Sequence, residues 1–288
     1  MLTLKFDPEK RDITGSFAAR AALVDACEKM DPADPAYHAW AVKHGVNPNS
    51  GSIVTTAYNP DLLDRRAAAL QSRLNEFKGG PPSGLSYQIP AGLIGAFDDA
   101  AMEGAPDPFK VLMISTTREV LHFDLQEKFP ELNLQTVIAA PDKEYADRCN
   151  ALIAATAPEL SDKVVYKSDW HGQGYDLVAV NPAVHYFDEK GLQDLAGEIA
   201  GTNAKLVVFS NLIRNNNADG DPEWKAQRYS GGIIPLRIPA RGELARVMQQ
   251  AGYNLDSFDV EPPTFDQNKG SNFAAQNPTL DNYSFSRN

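Results

Sequence analysis

The chain has 288 residues, of which 43% are hydrophobic and 23% charged, enough to bury roughly 75% of its unfolded surface in one large core or two modest ones. Thirty-eight acidic against 27 basic residues leave a net charge of −11, which repels phosphate backbones and anionic membrane surfaces and argues against nucleic acid as a partner. No apolar run reaches the 18 or so residues of a membrane span, and the opening MLTLKFDPEKRD lacks the apolar centre of a signal peptide, so a cytoplasmic protein without membrane contact is expected.

Residues 1–105 carry helical periodicity interrupted by Pro and Gly. Helices are predicted over 17–30, 35–44, 62–77 and 91–102, with loops or hinges at 47–52 and 79–84. No alternating strand pattern occurs among them, so this region is read as a helical cap or lid. Cys27 and Cys149 are far apart and belong to no C-x-x-C pair, so both read as buried thiols rather than as disulfide or zinc ligands. His38 and His44 are six apart, which is not the i, i+4 spacing of a metal pair, and no metal site is expected.

From Phe109 the texture changes to short apolar runs separated by helices, the mark of a doubly wound α/β sheet occupying 106–288. Strands are predicted over 110–114, 135–139, 163–166, 177–180 and 205–209, and helices over 118–129, 143–155, 189–199 and 241–251. Two last extended segments, 255–260 and 283–286, read as an antiparallel hairpin. Between the strand at 205–209 and the helix at 241–251 lies 215–236, NNNADGDPEWKAQRYSGGIIPL, long for a connection and read as a lid or binding loop carrying Trp224, Arg228 and Tyr229. In an open parallel sheet ligands bind at the carboxyl ends of the strands. Residues 174–187, GYDLVAVNPAVHYF, run a buried strand into a polar corner of Asn181, His185 and Tyr186, which makes that corner the first candidate site.

This order, ending in helix 241–251, GYNLDSFDV and a final strand, resembles the class I S-adenosylmethionine (SAM)-dependent methyltransferases over roughly residues 105–288. The resemblance implies a seven-stranded sheet of five parallel strands closed by a terminal hairpin whose last strand inserts antiparallel. It also implies SAM as cofactor and a small-molecule substrate; a homodimer is compatible with it.

Position by position, the first strand leads into Ser115-Thr116-Thr117-Arg118, where the family has a glycine-rich loop and this chain has no glycine. Ser115 and Thr116 either hold the cofactor's carboxylate at a helix start or simply cap that helix. After the second strand, Asp142 either reaches the ribose hydroxyls or caps the helix from Lys143. After the third, Asp169 and Trp170 match the family's acidic residue for the adenine amino group and its neighbouring ring; otherwise they are a solvated acid and a core aromatic. After the fourth, Asn181-Pro182 lacks the aromatic that amino-methylating nucleic-acid enzymes carry three residues beyond the Asn, since Val184 stands there. The nearer likeness is to small-molecule methyltransferases, which makes His185 a general base near neutral pH, with Tyr186 beside it; a structural histidine is the alternative. Ser210 and Arg214 follow the fifth strand and, with Tyr87 in GLSYQIP, are the candidate substrate contacts; solvent exposure is the other reading of Arg214.

The sequence therefore points to methyl transfer from SAM to a small polar metabolite, an amino acid or natural-product intermediate. The missing glycines keep open a non-methylating SAM enzyme, by aminocarboxypropyl transfer or cyclisation, and a degenerate, non-catalytic relative.

Overall fold

The computed structural model describes residues 60–81, 89–115, 121–140, 142–181, 184, 189–215, 220–229, 232–261 and 280–287. The helices expected at 17–30 and 35–44, the loop at 47–52 and Cys27 lie outside the described residues.

In chain order the elements are α1 (Pro60–Phe77), α2 (Ala91–Glu103), β1 (Phe109–Ser115), α3 (Leu121–Lys128), β2 (Leu134–Ala139), α4 (Lys143–Thr156), a short 3₁₀ turn (Pro158–Leu160) and β3 (Val164–Lys167). There follow β4 (Leu177–Asn181), α5 (Glu189–Gly201), β5 (Leu206–Ile213), β6 (Glu223–Tyr229), β7 (Gly232–Ile238), α6 (Glu243–Gln250), β8 (Tyr253–Glu261) and β9 (Leu280–Arg287). Seven strands form one sheet in the order β3-β2-β1-β4-β5-β9-β8. The first five are parallel, and β9 inserts antiparallel between β5 and β8. This is the sheet, with its terminal hairpin, that the sequence resemblance implies.

Strand burial follows from what covers each face. β1 and β4 are continuous apolar runs buried nearly throughout, as parallel strands sandwiched between helical layers must be. β2 and β3 alternate between buried and half-buried. The connection from β3 to β4, residues 168–176, contains no helix, although a parallel crossover is usually helical. Trp170 and Tyr175 fill in instead, at 1% and 5% exposure, with Tyr175 Oη donating to the Trp170 carbonyl at 3.0 Å.

Two apolar clusters lie on opposite faces of the sheet. One joins α1, α2, α3 and α4 to the sheet through Leu70, Leu93, Phe97, Met113, Ala179 and Val208; the other joins α5 and α6 through Leu112, Val180, Leu195, Phe209 and Val247. Phe97 of α2 stacks on Phe129 at 5.3 Å and meets Phe109 edge-on at 5.8 Å. The helices α1 and α2, expected within a cap, thus form part of the layer on this face of the sheet. α1 also docks by charge: Arg73 is 2.7 Å from Asp124 on α3, and both side chains are about nine-tenths buried.

The segment expected as a long loop instead contains a separate antiparallel pair, β6 with β7, in register from Glu223↔Ile238 to Tyr229↔Gly232. On α3, His122 is 1% exposed with Nδ1 2.6 Å from Thr136 Oγ1 on β2. Burial, and after it the charge of Lys163, push this imidazole down to about 3. No helix among the described residues is long and apolar enough to cross a membrane.

Candidate functional site at the carboxyl edge of the sheet

The ends of the central strands carry a buried polar row. Ser115 of β1 pairs in register with Asn181 of β4. The pair Val180↔Phe209 puts Asn181 beside Ser210 of β5, and Phe209↔Tyr283 brings Asn282 of β9 alongside. Exposure is 1% for Ser115, 1% for Asn181, 0% for Ser210 and 1% for Asn282. Two residues earlier on their strands, Met113, Ala179 and Val208 belong to the α1/α2 cluster, so the two-residue period turns Ser115, Asn181 and Ser210 toward that same face. Gly92 lets α2 lie this close: a Cβ there would sit 3.3 Å from the Asn282 Cβ.

Within this row, neither the amide nitrogen nor the amide oxygen of Asn181 makes a hydrogen bond among the described residues, and the same holds for the Ser210 hydroxyl. Leaving such a group unsatisfied in a protein interior costs about 1–3 kcal/mol. Unpaired donors and acceptors at a strand edge where ligands bind are groups ready to take one. A cation adjoins them. Arg66 of α1, 8% exposed, donates from Nη2 to the Ser115 carbonyl at 3.2 Å and lies 5.4 Å from the centroid of the Tyr145 ring. A buried guanidinium at the end of β1 offers positive charge where the chain lacks the glycines of a backbone cradle.

The three residues expected around a nucleoside have the features of their structural alternatives. Asp142 is the N-cap of α4, accepting from the Tyr145 backbone N–H at 2.8 Å. Asp169 is exposed. Trp170, at 1% exposure, is packed in the α5/α6 cluster, and the His171 ring stacks on it at 4.0 Å. His171 Nε2 is in turn 3.0 Å from Glu198 of α5, which ties the loop after β3 to that helix.

Arg214 does not join the row. A register irregularity between Phe209 and Leu212 in the β5–β9 pairing places Leu212 in the α5/α6 cluster. Beyond it, Arg214 lines a cleft with Asp281 on that side, Nε to Oδ1 3.9 Å. Ser210 and Arg214, four residues apart in sequence, thus serve opposite faces. Thr116, His185, Tyr186 and Tyr87 lie outside the described residues; Val184, next to His185, is fully buried. Arg66 and Asn282 escaped the sequence reading. The available signal for the first was a pair of arginines, Arg66 and Arg73, on the apolar stripe of Leu63, Ala67, Leu70 and Leu74.

The solved structures to which the chain is similar at low identity include several methyltransferases. A SAM-dependent methyltransferase from Methanosarcina mazei shares 12% identity over 65% of this chain and 95% of its own, with a TM-score of 0.46. One from Mesorhizobium loti shares 13% over 68% and 100%, with a TM-score of 0.40. Magnesium protoporphyrin IX methyltransferase from Synechocystis PCC 6803, with S-adenosylhomocysteine bound, shares 9% over 93% and 99%, with a TM-score of 0.45. No family model matches the sequence, and no curated protein matches it.

Proposed function

We propose that this chain is a SAM-dependent transferase that methylates a small polar metabolite, an amino acid or a natural-product intermediate. The observation that carries the reading is the Asn181 side chain, 1% exposed and with both amide atoms free of hydrogen bonds among the described residues, at the carboxyl end of the strand beside β1. An amide that can both donate and accept suits the amino and carboxylate groups of a methionine moiety. Ser115 and Arg66 stand next to it, the guanidinium supplying charge for the carboxylate. Asp169 is the proposed acceptor for the adenine amino group, with Trp170 holding its loop from below. Thr116 and Asp142 complete the proposed cofactor contacts.

When bound, SAM supplies an electrophilic methyl group. The chain's part is to position the acceptor in line and exclude water, which contributes up to about 7–11 kcal/mol. Ser210 and Tyr87 are the proposed acceptor contacts; Arg214, on the opposite face with Asp281, is not among them. His185 and Tyr186 are proposed to take the proton that the acceptor releases, a contribution of about 10²–10⁴-fold. The glycine-free turn Ser115-Thr116-Thr117-Arg118 favours a second reading, in which the same site transfers a different part of SAM or closes a ring.

Calorimetry with SAM and S-adenosylhomocysteine on the wild type and on Asn181→Leu tests the reading. We expect binding by the wild type and a loss of about tenfold or more in the variant, the worth of a buried hydrogen bond to a charged group. The variant's unfolding free energy should be equal or higher, because an unsatisfied amide has been replaced by an apolar group. Absence of binding to either nucleoside overturns the proposal. The by-product separates the two chemistries: S-adenosylhomocysteine accompanies methyl transfer and methylthioadenosine accompanies aminocarboxypropyl transfer.

A further inference from the structure

On the face of the sheet opposite Asn181 and Ser210, a cleft of about 360 Å³ opens between the end of β5, the start of α6 and the β8–β9 hairpin. That volume lies at the lower end of the range for small-molecule sites, of metabolite rather than macromolecular size. Its polar end is made by Arg214, Arg241 and Asp281 and its apolar wall by Leu255, Phe258 and Tyr283. Leu255 and Phe258 are 46% and 44% exposed, unusual for large apolar side chains, and the Phe258 and Tyr283 rings lie 4.8 Å apart.

Asp281 is the informative group. It is 8% exposed, yet its Oδ1 accepts no hydrogen bond among the described residues, and Arg214 Nε at 3.9 Å is too distant to donate one. Burial raises the carboxyl's proton affinity, and the charges of Arg214 and Arg241 offset this only in part. Among the described residues that carboxylate oxygen has no N–H donor. The two guanidiniums outnumber it and can take a second anion, bidentate where the geometry allows. An ammonium and a carboxylate on neighbouring atoms, attached to an apolar side chain, satisfy the acid, the two arginines and the exposed wall together.

We propose that this cleft is a binding site for an α-amino acid with an apolar side chain. The amino group donates to Asp281 Oδ1, the carboxylate lies against Arg214 and Arg241, and the side chain covers Phe258 and Leu255. The cleft lies on the face opposite Asn181 and Ser210 and does not require the cofactor, so this proposal and the transferase reading are tested separately.

Calorimetry of the full chain with L-phenylalanine, without SAM, is the test, with 3-phenylpropionate (no amine) and phenethylamine (no carboxylate) as comparators. L-phenylalanine should bind at least about tenfold more tightly than either comparator, since each lacks one charged hydrogen-bonded contact. Asp281→Asn should weaken L-phenylalanine by a similar factor and leave 3-phenylpropionate unchanged. Arg241→Gln, at an exposed residue whose replacement spares the core, should weaken both acids. The proposal is overturned if L-phenylalanine does not bind, if 3-phenylpropionate binds equally well, or if neither variant alters L-phenylalanine affinity. A chain that binds L-phenylalanine but not SAM retains this site and loses the transferase reading; the converse result does the opposite.

Discussion

Lowering the pH should destabilise this protein through one buried histidine. His122 is 1% exposed, and its imidazole is pushed from 6.5 down to about 3 by burial and then by Lys163. The folded value lies below the unfolded one, so the unfolded chain takes up the proton first. Stability on this account is complete above pH 6.5 and is lost progressively as the pH falls toward 3. Each pH unit within that window is worth about 1.4 kcal/mol. Between pH 7 and pH 5 the loss from this group alone is about 2 kcal/mol. Replacing His122 alone would leave the Thr136 hydroxyl, 2.6 Å away and 2% exposed, without its partner. The suitable comparison is therefore the double variant His122→Leu/Thr136→Val, which removes both members of the pair and is close to neutral at pH 7.5. Urea unfolding of wild type and variant at pH 7 and pH 5 reads the difference directly, because every other titrating group is common to both. A variant that loses as much stability as the wild type between those pH values refutes the argument.

Two glycines of α2 should respond in opposite directions. Gly92→Val should lower stability by about 1–3 kcal/mol through overpacking against Asn282, whereas Gly95→Ala, with nothing within 4 Å of the added carbon, should raise it by about 0.5–1 kcal/mol; thermal unfolding of both variants decides. Asp142→Ala should cost about 1 kcal/mol as a lost N-cap, and Asp142→Ser should recover most of it. A fall in SAM affinity with the serine variant assigns the carboxylate a ribose contact as well, and unchanged affinity confines it to the cap.

Much of the site was legible because strand ends can be read from a sequence. Apolar runs such as VLMI before Ser115 and LVAV before Asn181 indicate strands buried on both faces, and the residue after each run must lie at the carboxyl edge. Arg66 was hidden, since nothing in the order of residues on α1 says which strand end that helix crosses. Arg214 was assigned to the same rim as Ser210, because an even spacing along a regular strand keeps one face. The irregularity in the β5–β9 pairing breaks that period and sends it to the other side. The pair β6–β7 was read as a loop because 215–236 is long for a connection; its two strands pair in register from Glu223↔Ile238 to Tyr229↔Gly232.

The residue order by itself determined the succession of strands and helices, the absence of glycine after β1, the acidic surface and the polar endings of β1, β4 and β5, because these depend on local periodicity and composition. Only the tertiary structure decided which polar groups stay unsatisfied at those endings, which helix brings a guanidinium to them, and that Asp281 lies across a cleft from Arg241. Such facts depend on register and on the docking of segments far apart in the chain, where a shift of one residue reverses the face that a side chain serves.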